Sequence, residues 1–286
     1  MQVRTEKMRA GGHILILAVW GLVLALCPSL MADGLSAANA ARLQAAIAGD
    51  HRAAKNKARD QYRHPFETLS FFGIEPGMSV VEIYPGRGWY TEILGPYLTG
   101  AGGRLYAASW DRASTRAFIV RALKGFDAML AARPDLYGAV TVTELSRNKT
   151  DIAPAGSTDR VLTFRNVHNW MKRGYERAIF EAMFRALKPG GILGLTEHRG
   201  DPEAWQDPQA LSGYVNQETV IEIAEAAGFK FLALSEVNAN PRDTKNHPKG
   251  VWTLPPSLRL KDKDRAKYLA IGESDRMTLK FLKPLR

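Results

Sequence analysis

Two histidines and a glutamate stand where predicted strands end, and these groups could move protons. His168 follows one apolar stretch of the sequence, and Glu197 and His198 follow another. An imidazole can accept a proton near neutral pH if it lies within hydrogen-bond reach of the reacting group. His168, Glu197 and His198 are therefore the candidate catalytic residues, with a structural or positioning role for each histidine as the alternative.

The same three side chains could bind a metal ion, because histidine and glutamate are common zinc ligands. Their spacing does not place two ligands four residues apart on a helix. The only cysteine, Cys27, lies near the start of the chain, so thiolate ligands and disulfides are not available to the rest of it. The sequence predicts no metal site.

The stretch Met78–Leu94 predicts a strand, a glycine turn and a helix, and the other elements are arranged around this unit. It begins with β-branched residues, passes through the turn Pro85–Gly88 and then takes on helical periodicity. Glycines at 86 and 88 allow the backbone to approach a ligand closely, and the amides at the helix start face the space beyond the strand. Such a unit is typical of sites for nucleotide-like cofactors, although a glycine turn can also be a tight connection without a ligand.

Glu82 and Thr91 indicate which cofactor would suit this turn. Glu82 lies inside an otherwise apolar strand, where a carboxylate is costly unless it is hydrogen-bonded. A dinucleotide fingerprint needs a third glycine where this sequence has Thr91. The pattern therefore disfavours NAD.

Ser109 and Asp111 are the two candidates for binding a ribose. In nucleotide-binding α/β units, an acidic residue near the end of the second strand accepts hydrogen bonds from the ribose hydroxyls. Ser109 holds that place, and Asp111 is the nearest carboxylate, two residues later. Asp111 equally suits the N-cap of the helix that follows, so both assignments remain open.

Alternating strand and helix patterns predict an α/β fold with a mostly parallel sheet. After the first strand, further strands are predicted at Arg104–Ala108, Ala139–Thr143, Arg160–Phe164, Ile192–Thr196, Phe229–Leu234 and Met277–Leu282. Ligands in such sheets bind beyond the carboxyl ends of the strands, which places the hexapeptide Arg165–Trp170 at the site. A polar helix is predicted over Ala41–Arg63, with Asp60 and Arg63 as a surface ion pair.

The segment Asn238–Gly272 is long and rich in Asn, Pro and Lys. Long loops in compact domains are usually functional or disordered, and this one leaves a strand at the ligand edge. We therefore predict a lid-like insertion over 238–272 that excludes water, with Asn238, Asn240, Arg242 and Trp252 as substrate contacts. A solvated loop without a role is the alternative.

The first forty residues predict export from the cytoplasm. Three basic residues precede the apolar run Ile14–Leu26, and a small-residue stretch ends at Ala40. This is the pattern of a signal peptide over 1–40, which predicts a periplasmic protein with a mature chain that starts near Ala41 or Asp33. An uncleaved inner-membrane anchor through 14–32 is the alternative.

The charge of the chain is strongly basic. Its 286 residues carry 39 Lys and Arg against 29 Asp and Glu, a formal net charge of +10. Such a balance favours acidic surroundings, including an anionic membrane surface, although a solvated basic surface is the simpler explanation. The basic residues are spread along the chain, so no specific nucleic-acid partner is predicted, and the pattern does not predict an oligomeric state.

Two motifs resemble those of class I S-adenosylmethionine-dependent methyltransferases. They are the stretch Val80–Gly88 and the turn Leu187–Gly191. The similarity is closer to a group of predicted exported bacterial methyltransferases and covers nearly all of residues 41–286. It rests on the stretches Arg59–Pro65, Thr163–Trp170, Glu197–Arg199, Asn238–Pro241, Val251–Pro256 and Gly272–Lys280.

This resemblance implies a Rossmann-like sheet of about seven strands, mostly parallel with a last antiparallel strand, and helices on both faces. It implies S-adenosyl-L-methionine as the cofactor, held at its methionine end by Glu82, Gly86 and Gly88. Tyr84 stands where the family usually has its first glycine, and Ser109 where the ribose-binding acid is usual. The complete set of candidate cofactor-binding residues is Glu82, Tyr84, Gly86, Gly88, Ser109, Asp111, Arg165 and Asn166.

Three classes of function follow. The first is a methyltransferase that acts on a small-molecule or envelope acceptor. The second is a non-catalytic exported binding protein on the same fold, since S-adenosylmethionine is made in the cytoplasm and fold does not imply function. The third is an NAD-type oxidoreductase, which the glycine pattern and the Leu187–Gly191 turn both disfavour.

Overall fold

The computed structural model describes residues 34–285. The predicted anchor 14–32, the residue Cys27 and most of the predicted signal peptide 1–40 lie outside these residues. Within the described range, no helix is both long enough and apolar enough to cross a membrane.

Seven strands form one mixed sheet in the order β3-β2-β1-β4-β5-β7-β6. Six strands run in the same direction, and β7 is antiparallel to both of its neighbours, which confirms the predicted sheet. The strands are β1 (Ser79–Ile83), β2 (Arg104–Trp110), β3 (Thr141–Leu145), β4 (Thr158–Phe164), β5 (Leu187–His198), β6 (Lys230–Ser235) and β7 (Arg276–Leu282).

Helices cover both faces of the sheet because the central strands are apolar on both sides. Val80 packs into one hydrophobic cluster and its neighbour Val81 into the other, since successive side chains of a strand point to opposite faces. The helices are α1 (Ala37–Ala48), α2 (Ala54–Lys57), α3 (Asp60–Arg63), α4 (Pro65–Phe71), α5 (Thr91–Thr99), α6 (Ala117–Ala132), α7 (Pro134–Tyr137), α8 (Val167–Met171), α9 (Glu176–Ala186), α10 (Gln217–Ala226) and α11 (Arg265–Ile271).

The predicted single helix over Ala41–Arg63 is wrong. Helix α1 begins earlier, where the Ser36 hydroxyl caps it by accepting a hydrogen bond from the Asn39 amide at 3.2 Å. The chain then breaks into the short helices α2 and α3. The predicted start of the mature chain at Ala41 lies inside α1, whose Leu43 is fully buried.

The predicted turn before the fifth strand is present as an irregular part of β5. Thr158 of β4 pairs with Leu187, whereas Arg160, two residues later, pairs with Ile192. Four residues of β5, 188–191, therefore stand opposite the single Asp159 of β4, which is three more than regular pairing needs, and Gly190 adopts a φ of +78° that suits glycine. Beyond this irregularity β5 runs in register with β4, which fixes the relative height of the two strand ends at the site.

Candidate active site

A cavity of about 1620 Å³ opens at the carboxyl edge of the sheet. Its wall includes Glu82 of β1 with the turn that follows, and Trp110 at the end of β2. The end of β4 contributes Phe164 and, just beyond the strand, Arg165, Asn166 and His168. Because β1, β2 and β4 are parallel neighbours, their carboxyl ends converge here. The structure therefore brings the glycine turn and the polar hexapeptide together, as the sequence predicts.

Gly86 and Gly88, the two glycines of the turn, are needed for different structural reasons. Gly86 has φ +67° and lines the cavity, and a Cβ built there would meet no heavy atom within 4 Å. Gly88 has φ +88°, but a Cβ there would collide with the Met129 side chain of α6, and Gly88 does not line the cavity. Gly86 thus leaves room for a ligand, whereas Gly88 allows the turn to pack on α6.

Tyr84 occupies the position where a glycine was expected, with φ +48°. Its ring stacks on Trp110 with centroids 5.0 Å apart, and its hydroxyl donates to the Leu145 carbonyl at 3.1 Å. Both rings line the cavity. Tyr84 therefore contributes a flat aromatic wall rather than a close backbone approach.

Glu82 is buried at the wall of the cavity. Its carboxylate accepts a hydrogen bond from the Thr91 hydroxyl at 2.6 Å. Burial raises the pKa of Glu82 to about 7, although Thr91 and the Arg63 charge act in the opposite direction. A cationic group bound beside Glu82 would favour the carboxylate form and recover part of this desolvation cost.

Asn166 joins the ends of β1 and β4. Its side-chain amide donates to the Thr163 hydroxyl at 3.2 Å and to the Ile83 carbonyl at 3.4 Å. Arg165, just before it, has the left-handed φ of +61°, and its amide donates to the Thr196 carbonyl of β5 at 2.7 Å. These bonds fix the direction in which the chain leaves β4 and enters α8.

Neither candidate for the ribose partner lines the cavity. Ser109 is buried, and its hydroxyl has no partner among the described residues. Asp111 bonds to the Lys149 ammonium at 2.9 Å and to the Ala113 amide at 2.9 Å. Helix α6 begins only at Ala117, so the alternative role of Asp111 as its N-cap is wrong.

His168 and Glu197 form a buried pair beside the cavity. The Glu197 carboxylate accepts from His168 Nδ1 at 3.0 Å and from the backbone amides of Val167 at 2.6 Å and His198 at 2.8 Å. His168 Nε2 lies 2.9 Å from the side-chain amide nitrogen of Asn169, which can only donate. These bonds favour the imidazole tautomer that carries its proton at Nδ1 and accepts a hydrogen bond at Nε2.

His198 lies behind this pair. Its ring centroid is 5.4 Å from that of His168, and its Nδ1 lies 2.5 Å from the Ser274 hydroxyl oxygen. Burial, followed by the nearby His168 and arginine charges, lowers the pKa of His198 well below its ordinary value. His198 does not line the cavity, so its position suits a neutral structural histidine.

Potential ligand atoms of His168, Glu197 and His198 lie within 4.8 Å of one another. Their hydrogen bonds explain this proximity without an ion, because both Glu197 oxygens already accept bonds from amides or from His168. A metal would have to displace these donors. The cluster is therefore best described as a network that orients His168.

The sequence interpretation missed a set of arginines around the cavity. Arg63 is only 5 % exposed, and its guanidinium lies 4.5 Å from the centre of the Trp89 ring. The predicted ion pair between Asp60 and Arg63 is wrong, since Asp60 instead binds Arg52 with contacts of 2.7 and 2.9 Å. Arginines in a polar stretch look like surface residues, and only the packing of α3 beneath Trp89 shows that Arg63 is inside.

The segment 238–272 combines anchored and cavity-facing parts. Asn238 is buried and donates to the hydroxyls of Thr68 and Thr278, both at 2.9 Å, while Asn240 donates to the Ile271 and Glu273 carbonyls. These two side chains are therefore structural rather than open to a substrate. Arg242 does not line the cavity, but Trp252 does.

Trp252 covers the His168 ring, with centroids 6.0 Å apart and planes 70° apart. The Arg259 guanidinium lies 4.5 Å from the centre of the Trp252 ring on the same segment, and Arg259 also lines the cavity. The part of the segment that can contact a substrate is thus its middle, beginning at Trp252, and not the asparagines at its start.

No protein-family model and no curated protein matches this chain. Among solved structures, it is similar to a SAM-dependent methyltransferase from Aquifex aeolicus, with 17% identity over 79% of this chain and 93% of that one and a TM-score of 0.53. It is also similar to the [4+2]-cyclase SpnF, with 15% identity over 87% and 93% of the two chains and a TM-score of 0.57.

A third similar structure is a putative sarcosine dimethylglycine methyltransferase from Galdieria sulphuraria, with 13% identity over 80% of this chain and 87% of that one and a TM-score of 0.53. At such identities the likeness concerns the fold, and the presence of a cyclase in the group illustrates that this fold serves more than one reaction. The chain therefore has the Rossmann-like fold of class I methyltransferases, as its sheet order indicates.

Proposed function

We propose that this protein is an S-adenosylmethionine-dependent methyltransferase that acts on a small-molecule or envelope acceptor. The observation that carries the proposal is a single cavity that contacts the Gly86 turn, the Glu82 carboxylate and the His168 ring. The first two suit a cofactor with an amino-acid end, and the third suits deprotonation of an acceptor.

The residues fit the methionine end of this cofactor better than its ribose. Open space above Gly86 and a buried carboxylate at Glu82 suit a ligand that carries an ammonium group. Ser109, at the position where the family usually has a ribose-binding acid, does not line the cavity, and the wall beside it consists of the stacked rings of Tyr84 and Trp110. These rings would provide a stacking surface for the adenine, and Asn166 would keep the β1 and β4 ends in place around it.

S-adenosylmethionine, when bound, supplies a methyl group activated by a sulfonium. The protein must then place the acceptor in line, exclude water and take up the proton that an O–H or N–H acceptor loses. His168 Nε2 would receive this proton, because Nδ1 already carries one and donates it to Glu197. The Glu197 carboxylate would stabilise the imidazolium, and the acceptor would displace the Asn169 amide from Nε2.

The segment 238–272 would act as a lid through its middle part. Trp252 already packs over His168, and its removal from that ring would open the base to solvent. Because hydrogen bonds to Thr68, Thr278 and two backbone carbonyls hold Asn238 and Asn240, we propose that only the stretch between these asparagines and α11 moves.

A non-catalytic binding protein on the same fold is the second candidate. Two observations favour it: the rings of Tyr84 and Trp110 stack beside the cavity, and no carboxylate at the end of β2 lines the cavity. Such a protein would bind S-adenosylmethionine or a related nucleoside without turnover. We do not propose the NAD-type oxidoreductase, since Thr91 at the third-glycine position is committed to Glu82.

Gly86→Val is expected to abolish binding of S-adenosylmethionine. A branched side chain would fill the open space at the turn, which now meets no atom within 4 Å. The matched control is Gly156→Val, because Gly156 has a similar φ of +64° and similar open space but lies outside the cavity lining. Calorimetric titration with S-adenosylmethionine and S-adenosylhomocysteine should show binding to wild type and Gly156→Val only. Equal binding to Gly86→Val would exclude the turn as the cofactor loop.

Glu82→Gln is expected to weaken binding of S-adenosylmethionine about tenfold or more, or about 1.4 kcal/mol, at pH 8. In wild type the affinity should increase as the pH rises through about 7, since the ligand ammonium pairs with the ionised form of Glu82. The variant should show no such rise. An identical pH dependence of the affinity in both proteins would contradict the assignment.

The Glu82→Gln variant can also be tested without a ligand, through the pH dependence of its free energy of unfolding. Because the folded-state pKa of Glu82 is raised from 4.5 to about 7, the folded protein keeps a proton that the unfolded chain loses in this window. The free energy of unfolding of wild type should therefore fall relative to Glu82→Gln as the pH rises from 4.5 to about 7. Urea unfolding at several pH values measures this difference.

His168→Gln is expected to lower kcat by about 10²–10⁴-fold, the usual contribution of a general base, with little change in S-adenosylmethionine binding. His198→Gln is the matched comparison, because His198 does not line the cavity. Its kcat should stay within about tenfold of wild type. The rate of S-adenosylhomocysteine release on the first acceptor found in a labelled-methyl screen measures both. A larger loss in His198→Gln than in His168→Gln would reverse the assignment of the base.

We also propose that the protein is exported to the periplasm. Of the two expected starts, the one near Asp33 would keep α1 and its buried Leu43 whole, whereas a start at Ala41 would remove the first turn of α1. Amino-terminal sequencing of the protein from cell envelopes should therefore find a start near Asp33. Soluble cytoplasmic protein with residues 1–40 intact would exclude export, and retention in the inner membrane with these residues intact would indicate the anchor.

A further inference from the structure

The cavity has a large surplus of positive charge. Its lining includes eleven Lys and Arg side chains and two glutamates, Glu82 and Glu92. Glu92 faces Arg52, a fully buried arginine side chain, at 3.8 Å, and Glu82 is hydrogen-bonded to Thr91. The two acids therefore do not neutralise the remaining wall of the cavity.

Four arginines, Arg59, Arg63, Arg165 and Arg276, form a cluster with one carboxylate, Glu273, and the first three of them line the cavity. One Glu273 oxygen bonds to Arg59 Nε at 2.6 Å, and the other bonds to the Arg276 guanidinium. Burial of Glu273 disfavours its ionisation, but Arg276 and Arg59 outweigh this and lower its pKa to about 2. Glu273 is thus fully engaged by two of the four arginines.

Arg63 and Arg165 are the other two members of the cluster. Among residues 34–285, neither guanidinium has a hydrogen-bond acceptor or an ion-pair partner, and Arg63 Nε is buried without any partner. Burial, and then mutual repulsion with neighbouring arginines, lowers the pKa of both groups. Both side chains line the cavity. Arg63 is buried and Arg165 is partly buried, and a cation in such a place without a counter-ion is costly unless a ligand supplies one.

The methyl donor does not reduce the surplus of positive charge in the cavity. S-adenosylmethionine carries a sulfonium, an ammonium and one carboxylate, so it brings a net positive charge into the cavity. Even if its carboxylate paired with one arginine, binding would increase the surplus. A second ligand that carries a negative charge would reduce this surplus.

We infer that the acceptor carries an oxyanion, a phosphate or a carboxylate, that binds between Arg63 and Arg165. This inference rests on the proposed function and names the chemical class of its substrate. Guanidinium groups bind such oxyanions through paired hydrogen bonds. Arg165 and His168 both follow β4, three residues apart, so the oxyanion and the reacting O–H or N–H group of one small acceptor can be held side by side.

Binding of inorganic phosphate, followed by calorimetry and by ³¹P NMR, tests the oxyanion site directly. Wild type should bind phosphate saturably, and S-adenosylhomocysteine should leave this affinity unchanged or strengthen it. Arg63→Gln and Arg165→Gln should each weaken phosphate binding at least about tenfold, or about 1.4 kcal/mol. The matched control is Arg177→Gln on α9, an exposed arginine outside the cavity lining. Acetate titrations on the same proteins distinguish a carboxylate site from a phosphate site.

The folding of the variants provides a second measurement. Removal of an unpaired buried charge should stabilise the protein without ligand, so Arg63→Gln should raise the midpoint of thermal unfolding by about 2 °C or more in buffer free of oxyanions. Phosphate should raise the midpoint of wild type but not of Arg63→Gln. A lower midpoint for Arg63→Gln in oxyanion-free buffer would show that Arg63 is a structural residue and would overturn its role.

Three further outcomes would overturn the inference. They are the absence of saturable binding of phosphate and of acetate up to tens of millimolar, equal weakening by Arg177→Gln, and competition between phosphate and S-adenosylhomocysteine. Competition would assign the arginines to the methionine carboxylate. If S-adenosylmethionine does not bind but phosphate binding depends on Arg63 and Arg165, the proposed methyl transfer fails while the oxyanion site stands.

Discussion

The buried carboxylate of Glu197 connects most parts of the site. It has no exposed surface, and its two oxygens collect backbone amides from the start of α8 and from the end of β5, together with His168 Nδ1. These donors lie at or just beyond the ends of the adjacent strands β4 and β5. Glu197 therefore fixes the position of α8 relative to the sheet, and it fixes the direction of the chain at the end of β5. Its bond to Nδ1 also favours one tautomer of His168. A carboxylate used in this way is paired by hydrogen bonds rather than by a cation, which keeps the surrounding positive charges free to act on a ligand.

Patterns in the sequence predict the framework of this site well, because the framework depends on local features. Strand periodicity and the glycine turn locate β1 and its carboxyl end, and the parallel order of strands then places Arg165, Asn166 and His168 at the same edge. The fold class follows from the alternation of strand and helix patterns, whereas the antiparallel last strand was implied by the resemblance to class I methyltransferases. Boundaries differ by a few residues where hydrogen bonding continues past the apolar run, as at β5.

The parts that could not be predicted depend on contacts between residues far apart in the sequence. Arg59 and Glu273 are separated by 214 positions, and nothing in either stretch shows that they meet. The same is true of Arg63, which looks like a surface residue until α3 packs beside Trp89. Asn238 and Asn240 illustrate the opposite error, since their composition suggested an open loop while their amides are consumed by Thr68, Thr278 and backbone carbonyls.

The position of β7 between β5 and β6 has a consequence for the order of assembly. The edge strand β6 is made before β7, yet β7 is the strand through which it joins the sheet. During synthesis the chain therefore carries an incomplete sheet until Arg276–Leu282 emerges, and β5 presents an unpaired edge in the meantime. Because Glu273 and Arg276 arrive with this last strand, the arginine cluster closes in the same step. A nascent chain therefore has neither the complete sheet nor the complete arginine cluster until β7 has been made.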